Sequence, residues 1–270
     1  MPKKIKDRED LPVLKISVRN LVEFILRSGD IDNRYSKGAK LDAMQEGSRV
    51  HRKIQNSMGK EYHAEVSLSH EINLKKYYLI VEGRADGIID GDDGNAYTID
   101  EIKGMYDRVD LFEEPVPVHL AQAKCYAYIF ALQNGLEKID VQMTYVNMDT
   151  EEIKCFKQEF CFAELDTWFG ELIEKYQKWA DFSFEWQKTM RDSIEKLDFP
   201  YEYRPGQKEL AADVYRTLLR KKDLFLQAPT GVGKTITTLF PSVKAVGEGL
   251  ADKIFYLTAK TMTASVASKT

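Results

Sequence analysis

Apolar residues recur along the chain with two kinds of spacing, and these spacings predict its helices and strands. Intervals of three and four residues mark one face of a helix, whereas short runs rich in β-branched and aromatic residues mark strands. The predicted helices cover residues 17–27, 41–58, 118–134, 163–194 (as one helix or two), 207–220 and a stretch after residue 235. The predicted strands cover residues 61–70, 77–90, 97–103, 139–147, 153–160, 223–227 and 253–258. This mixture of elements predicts the α/β class.

The same pattern indicates how the chain is organised. Residues 1–15 are expected to form a loose arm before Ser17, which suits the N-cap of the first helix. Leu197 to Tyr203 interrupts the helical pattern, and a new succession of elements begins after it. We therefore expect one domain over residues 1–198 and another over 199–270.

Composition narrows the class of protein. The 270 residues are 43% hydrophobic and 30% charged, which is ordinary for a soluble globular protein. The sequence has neither an apolar run long enough to span a bilayer nor a signal-peptide core, so we expect a cytoplasmic protein with no membrane partner. The formal net charge of −4 does not indicate nucleic-acid binding, although a local basic groove would suffice for it.

The predicted hairpin over residues 83–103 carries the first candidate chemistry. Asp86 lies on its first strand, and Glu101 and Lys103 lie two positions apart on the second, so their side chains share a face. Asp100 should point to the opposite face. Carboxylates are ligands suited to Mg²⁺ or Mn²⁺, and a nearby lysine can orient a water molecule. The pattern fits phosphodiester hydrolysis, but a charged surface hairpin with no catalytic role would look the same.

Two further motifs flank this hairpin and favour the catalytic interpretation. In order, the chain has Gly47 to His51 on a predicted helix, Gly83 to Asp86, Glu101 to Lys103, and Gln122 to Tyr126 on another helix. This succession resembles the RecB-like branch of the PD-(D/E)XK nucleases. The resemblance implies a restriction-endonuclease-like mixed sheet flanked by helices.

The resemblance also implies roles for these residues. One or two Mg²⁺ or Mn²⁺ ions would be bound by His51, Asp86, Glu101 and the carbonyl of Ile102. Lys103 would position the attacking water, and Gln122 and Tyr126 would contact DNA or support Lys103. Several relatives hold an iron–sulfur cluster with four cysteines. We expect no cluster here, because the only cysteines are Cys125, Cys155 and Cys161.

A second motif lies between a predicted strand and a predicted helix near the end of the sequence. Ala228 to Thr235 is a glycine-rich turn ending in Gly-Lys-Thr, the arrangement of a phosphate loop. Together with Arg204 to Gln207 and Tyr256 to Thr261, it resembles superfamily 2 helicases of the XPD and DinG-like type. The implied ATP and Mg²⁺ contacts are Gln207, Thr230, Gly231, Gly233, Lys234 and Thr235.

The helicase resemblance covers only about the last 70 residues. These would form an incomplete RecA-like domain, without the acidic Walker B motif and the arginines of a second RecA-like domain. We therefore expect this segment, taken alone, to hydrolyse ATP slowly or not at all and not to unwind DNA.

Three functional hypotheses follow. The leading one is a metal-dependent deoxyribonuclease, joined to the start of an ATP-dependent DNA helicase and acting on single strands or strand ends in DNA repair or defence. The second is a DNA-binding module that loads the helicase without cutting, and the third is a nucleotide-gated switch. The sequence does not distinguish exonuclease from endonuclease, Mg²⁺ from Mn²⁺, or DNA from RNA.

Overall fold

A six-stranded mixed sheet occupies the first of two compact units, residues 1–180 and 181–270, in the computed structural model of the protein. The structure describes residues 11–28, 40–91, 97–106, 108–229, 231–259 and 261–269. The strands are β1 (Val13–Ser17), β2 (Tyr62–Asn73), β3 (Tyr78–Ile89), β4 (Thr98–Met105), β5 (Lys138–Asn147) and β6 (Ile153–Cys161). The helices are α1 (Val18–Leu26), α2 (Lys40–Ser57), α3 (Pro117–Asn134), α4 (Phe162–Glu195), α5 (Gln207–Leu219), α6 (Lys234–Gly247) and α7 (Thr261–Lys269). This is the predicted α/β class.

The sheet has the order β1-β3-β4-β5-β6, and β2 also pairs with β3. The β1–β3 and β4–β5 pairs are parallel, and the other pairs are antiparallel. Residues 13–15, expected to be part of a loose arm, belong instead to β1. That expectation was wrong because the pairing of β1 with β3 depends on a distant strand that the local pattern does not reveal.

Two strands share one edge of β3. Because β2 follows β3 along almost its whole length, β1 and β4 must both pair on the opposite edge. The β1 ladder ends at Glu82 and the β4 ladder begins at Gly87. Residues 83–86 therefore lie in a gap between β1 and β4, which we call the sheet split.

Helices pack close to this split and are held by caps and buried side chains. The hydroxyl oxygen of Ser17 accepts a hydrogen bond from the backbone N–H of Asn20, which confirms the predicted N-cap of α1. Gly135 ends α3 in the left-handed conformation. On α2, Val50 and Ile54 are buried in a cluster with Ile102 on β4. Cys125 is also buried.

The second unit contains α5, α6 and α7 but lacks the predicted strands. Residues 223–227 and 253–258 form no strand, and Phe225 and Leu257 are 97% and 89% exposed. The prediction was wrong because a buried parallel strand needs neighbouring strands to pair its backbone, and the described residues supply none here. The described part of this unit therefore does not form the expected RecA-like sheet.

Among the described residues, no helix has the length and apolar character that crossing a bilayer requires.

Candidate active site

The sheet split brings the predicted nuclease residues together. Asp86 is the last residue of the split on β3, next to Gly87, which pairs with Asp100 on β4. Beyond Asp100, β4 is no longer paired with β3. The backbone N–H of Ile102 has no β3 partner in that ladder and donates instead to Oδ2 of Asp86, at 2.8 Å. The carboxylate of Asp86 therefore links β3 to β4 beyond the point where their main chains separate.

The other side of the split is closed by α3. The Tyr126 hydroxyl lies beside Gly83, close to the backbone of Arg84 and the side chain of Gln122. Gly83 permits this approach, because a Cβ atom at that position would lie 2.6 Å from the hydroxyl oxygen. Burial raises the pKa of Tyr126 above its ordinary value, so the phenol stays protonated at neutral pH.

Glu101 and Lys103 point to the same side of β4, as predicted. The Lys103 ammonium donates to Oε1 of Glu101 at 2.7 Å and to Oε1 of Gln122 at 3.2 Å. Glu101 is only 1% exposed, and its Oε2 is buried without a hydrogen-bond partner. Burial raises the pKa of Glu101 to about 7, and the nearby Lys103 opposes this shift. The site therefore contains a carboxyl oxygen that is available to a cation.

His51 reaches the site from α2. Its Nδ1 lies 3.4 Å from Oδ1 of Asp86. Burial by itself lowers the pKa of His51, but the hydrogen bond and charge of Asp86 outweigh burial and leave the pKa raised. Gln55, one helical turn after His51, donates to the carbonyl of Asp86 at 2.9 Å. The spacing of Gln55 from His51 was the sequence signal that could have identified it as a neighbour of the site.

A second group of polar residues lies on the opposite face of β4 and was not predicted. Asp100 is fully buried, and its carboxylate accepts hydrogen bonds from Tyr62 (3.1 Å), Gln142 (3.2 Å) and Thr144 (2.6 Å). Burial raises the pKa of Asp100, while these donors act in the opposite direction. Asp100 thus points away from Glu101, as expected, and fixes β4 against β2 and β5.

The donor groups suit a divalent cation in their chemistry. The imidazole of His51 and the carboxylates of Asp86 and Glu101, the latter with an unpartnered Oε2, are groups that bind Mg²⁺ or Mn²⁺. In the side-chain arrangement of the described residues, however, no three His, Cys, Asp or Glu side chains form a group that could hold a metal ion. Asp86 is engaged by His51 and Ile102, and Glu101 by Lys103, so an ion would compete with these partners.

In the second unit, the glycine-rich turn precedes α6. Gly231 and Gly233 have positive φ angles, and Lys234 is the first residue of the helix. The Lys234 ammonium donates to the carbonyls of Ala228 (2.8 Å) and Pro229 (2.6 Å). The side chain of Gln207 donates to the carbonyl of Val232 at 3.4 Å. Thr235 is the second residue of α6, whereas Thr230 lies outside the described residues.

Comparisons with known proteins add little to this geometry. No family model and no curated protein matches the chain. The crystal structure of SSO0001 aligns over 63% of this chain and 78% of its own, with 19% identity and a TM-score of 0.39. An alkaline exonuclease (LHK-Exo) from Laribacter hongkongensis aligns over 68% of this chain and 95% of its own, with 13% identity and a TM-score of 0.40. Scores at this level are too low to assign the chain to a family.

Proposed function

We propose that the first unit is a divalent-metal-dependent nuclease that hydrolyses phosphodiester bonds in DNA. The observation that supports this proposal is the meeting of His51, Asp86, Glu101 and Lys103 at the sheet split, with one buried oxygen of Glu101 left unpartnered. A binding module would not need this set, because burying an unpartnered carboxyl oxygen costs stability.

Each of the residues at the sheet split has a role in the proposed reaction. His51, Asp86, Glu101 and the Ile102 carbonyl would hold Mg²⁺ or Mn²⁺, which supplies polarisation of the scissile phosphate when bound. Lys103, fixed between Glu101 and Gln122, orients the attacking water and stabilises negative charge that develops on the phosphate. Tyr126 lies close to Gln122 and would support that side chain, which accepts a hydrogen bond from Lys103.

The test is cleavage of end-labelled single-stranded and double-stranded DNA with Mg²⁺ or Mn²⁺, with and without ATP. We expect wild type to cut without ATP and Lys103→Ala to lose at least about 100-fold in rate. Lys138→Ala is the matched control, because Lys138 begins β5 at the opposite end of the sheet from Lys103. The product pattern would distinguish an exonuclease from an endonuclease, and an RNA strand would test the sugar preference.

Failure of wild type to cut any substrate, with DNA binding retained, would contradict the nuclease proposal. It would favour the alternative, a non-cleaving module that loads DNA for a helicase.

A second proposal concerns the turn before α6 as a site for ATP. It is supported by the positive φ angles of Gly231 and Gly233 and by Lys234, which lies at the helix N-terminus. Lys234 would exchange its bonds with the Ala228 and Pro229 carbonyls for bonds with phosphate oxygens, and Thr235 would ligate Mg²⁺. Binding of a fluorescent ATP analogue should be lost in Lys234→Ala and kept in Lys253→Ala. Equal affinities in the two variants would refute this site, and with it the helicase interpretation.

A further inference from the structure

A cleft of about 750 Å³ opens beside the nuclease residues and contains three arginines. Its walls include Arg19, Arg52 and Arg84 together with Asp86, Gln122 and Tyr126. Among the residues that the structure describes, the acidic ones lining it are Glu65 and Asp86. In a chain with a formal net charge of −4, this is a local concentration of positive charge beside the site.

The three arginines come from three different elements. Arg19 lies in the first turn of α1, Arg52 follows His51 on α2, and Arg84 precedes Asp86 by two residues on β3. Arg84 and Asp86 therefore share a face of their strand. The tertiary fold, rather than a local repeat in the sequence, therefore brings these three arginines together. We call them the arginine surface.

The present partners of two of these arginines are weak competitors for a ligand. Arg19 pairs with Glu23 at 2.7 Å with 71% of its side chain exposed, and Arg84 pairs with Glu65 with 66% exposed. Exposed ion pairs contribute roughly 0–1 kcal/mol. A phosphate can therefore displace either carboxylate at little cost, and guanidinium groups bind phosphate oxygens in a bidentate manner.

The cleft continues past the site. A second cleft of about 390 Å³ also includes Arg19, His51 and Gln122 in its walls, and it contains Lys103 and the aromatic ring of Tyr106. The two clefts thus meet at shared residues and form one path across the nuclease residues. Such a path suits a single flexible strand, with charges along its backbone and an aromatic ring available to a base.

We propose that Arg19, Arg52 and Arg84 bind the backbone phosphates of a single DNA strand on the Asp86 side of the scissile bond. This inference rests on the proposed nuclease function for its substrate class. It adds the surface that binds the strand and the preference for single strands over blunt duplex.

The experiment is fluorescence anisotropy with a labelled single-stranded oligonucleotide in EDTA, where cutting cannot occur, over a range of KCl concentrations. Arg52→Gln and Arg84→Gln should each weaken binding and reduce the slope of log affinity against log salt by about 0.7, the value for one lost contact with a single strand. Lys138→Gln, which removes a positive charge at the opposite end of the sheet, should leave the slope unchanged. A blunt duplex should bind more weakly than the single strand.

The Glu65→Gln variant distinguishes the loss of a phosphate-binding charge from the loss of a stabilising ion pair. Both this variant and Arg84→Gln break the pair between Arg84 and Glu65. If the pair only stabilised the fold, both variants would weaken binding. If the arginine surface binds phosphate, Glu65→Gln should bind the strand more tightly, because a negative charge that repels phosphate has been removed from the cleft.

The outcomes distinguish this inference from the function on which it rests. Cutting by wild type, with Arg52→Gln and Arg84→Gln matching Lys138→Gln in salt slope, would refute the arginine surface alone. An arginine-dependent slope without cutting on any substrate would refute the nuclease and leave the surface in place. A blunt duplex that binds as tightly as the single strand would refute the strand preference.

Discussion

The backbone N–H of Ile102 donates to the carboxylate of Asp86 over 2.8 Å, so a side chain proposed to bind metal also joins two strands. Ile102 is fully buried, and its N–H has no β3 partner in the ladder. Asp86 therefore has two functions, one in the proposed chemistry and one in the sheet. The two functions can be separated by choosing the substitution.

Asp86→Ala should destabilise the first unit by about 1–3 kcal/mol, because a buried N–H group is left without an acceptor. Asp86→Asn keeps an oxygen acceptor and should cost less, while both variants should lose cleavage. The measurement is urea denaturation followed by tryptophan fluorescence, since Trp168 and Trp179 belong to this unit. Equal stability of the two variants would show that the bond to Ile102 contributes little.

Gly87 and Tyr62 should behave as a coupled pair. A Cβ atom at Gly87 would lie 1.9 Å from the Tyr62 hydroxyl oxygen, and the rigid ring cannot move without breaking its bond to Asp100. Gly87→Ala should cost about 1–3 kcal/mol through this overlap. In the double variant with Tyr62→Ala, the cost should be less than the sum of the single costs. Strict additivity in the double-mutant cycle would contradict the contact.

His119 should make stability depend on pH. Burial lowers its pKa to about 4, and the charge of Lys103 acts in the same direction. Between about pH 6.5 and 4 the unfolded chain binds a proton that the folded protein does not, so stability falls as the pH falls through this range. With a discount for partial exposure, the loss is roughly 1–2 kcal/mol.

The measurement for His119 is the free energy of unfolding from pH 7.5 to 4.5, compared between wild type and His119→Gln. The difference removes the contributions of the other titrating groups, some of which have the opposite sign. Parallel curves for the two proteins would refute the role of His119.

Binding of Mn²⁺ should strengthen with pH. With its pKa raised to about 7, mainly by burial, Glu101 is largely protonated at pH 6 and largely ionised at pH 8. An ion that needs the carboxylate must displace this proton, so the apparent affinity should rise about tenfold between these values. Calorimetry in two buffers of different ionisation enthalpy would count the released protons. Glu101→Gln should remove most of the affinity and the Glu101 share of the proton release, leaving the share from His51, whose pKa is also raised.

Part of this site could be predicted from the sequence because its motifs are local. The spacing of Glu101 and Lys103 determines that they share a face, and the helix that carries His51 is visible from its own apolar residues. The sheet split could not be predicted in this way, because it depends on where β1 and β4 each pair along β3. The network around Asp100 joins three strands and was missed for the same reason.

In the second unit, the sequence predicted strands that the structure does not form. The apolar runs over residues 223–227 and 253–258 have the composition of buried strands, and the helicase resemblance implied a RecA-like sheet there. A strand is defined by its neighbours as well as by its own residues, and the described residues provide no ladder for either run. The helices α5 and α6 and the glycine-rich turn between the first run and α6, which are determined by local sequence, match their predictions.

In the sheet split, side chains occupy the place of a paired strand. The Asp86 carboxylate accepts a hydrogen bond from the backbone N–H of Ile102, and the Tyr126 hydroxyl packs against the backbone at Gly83. Many enzymes gain stability when active-site residues are replaced, because those residues are strained or repel one another. Here two of the proposed catalytic residues, Asp86 and Tyr126, also stabilise the sheet. Selection for folded protein alone, with no demand for DNA cleavage, would therefore retain them.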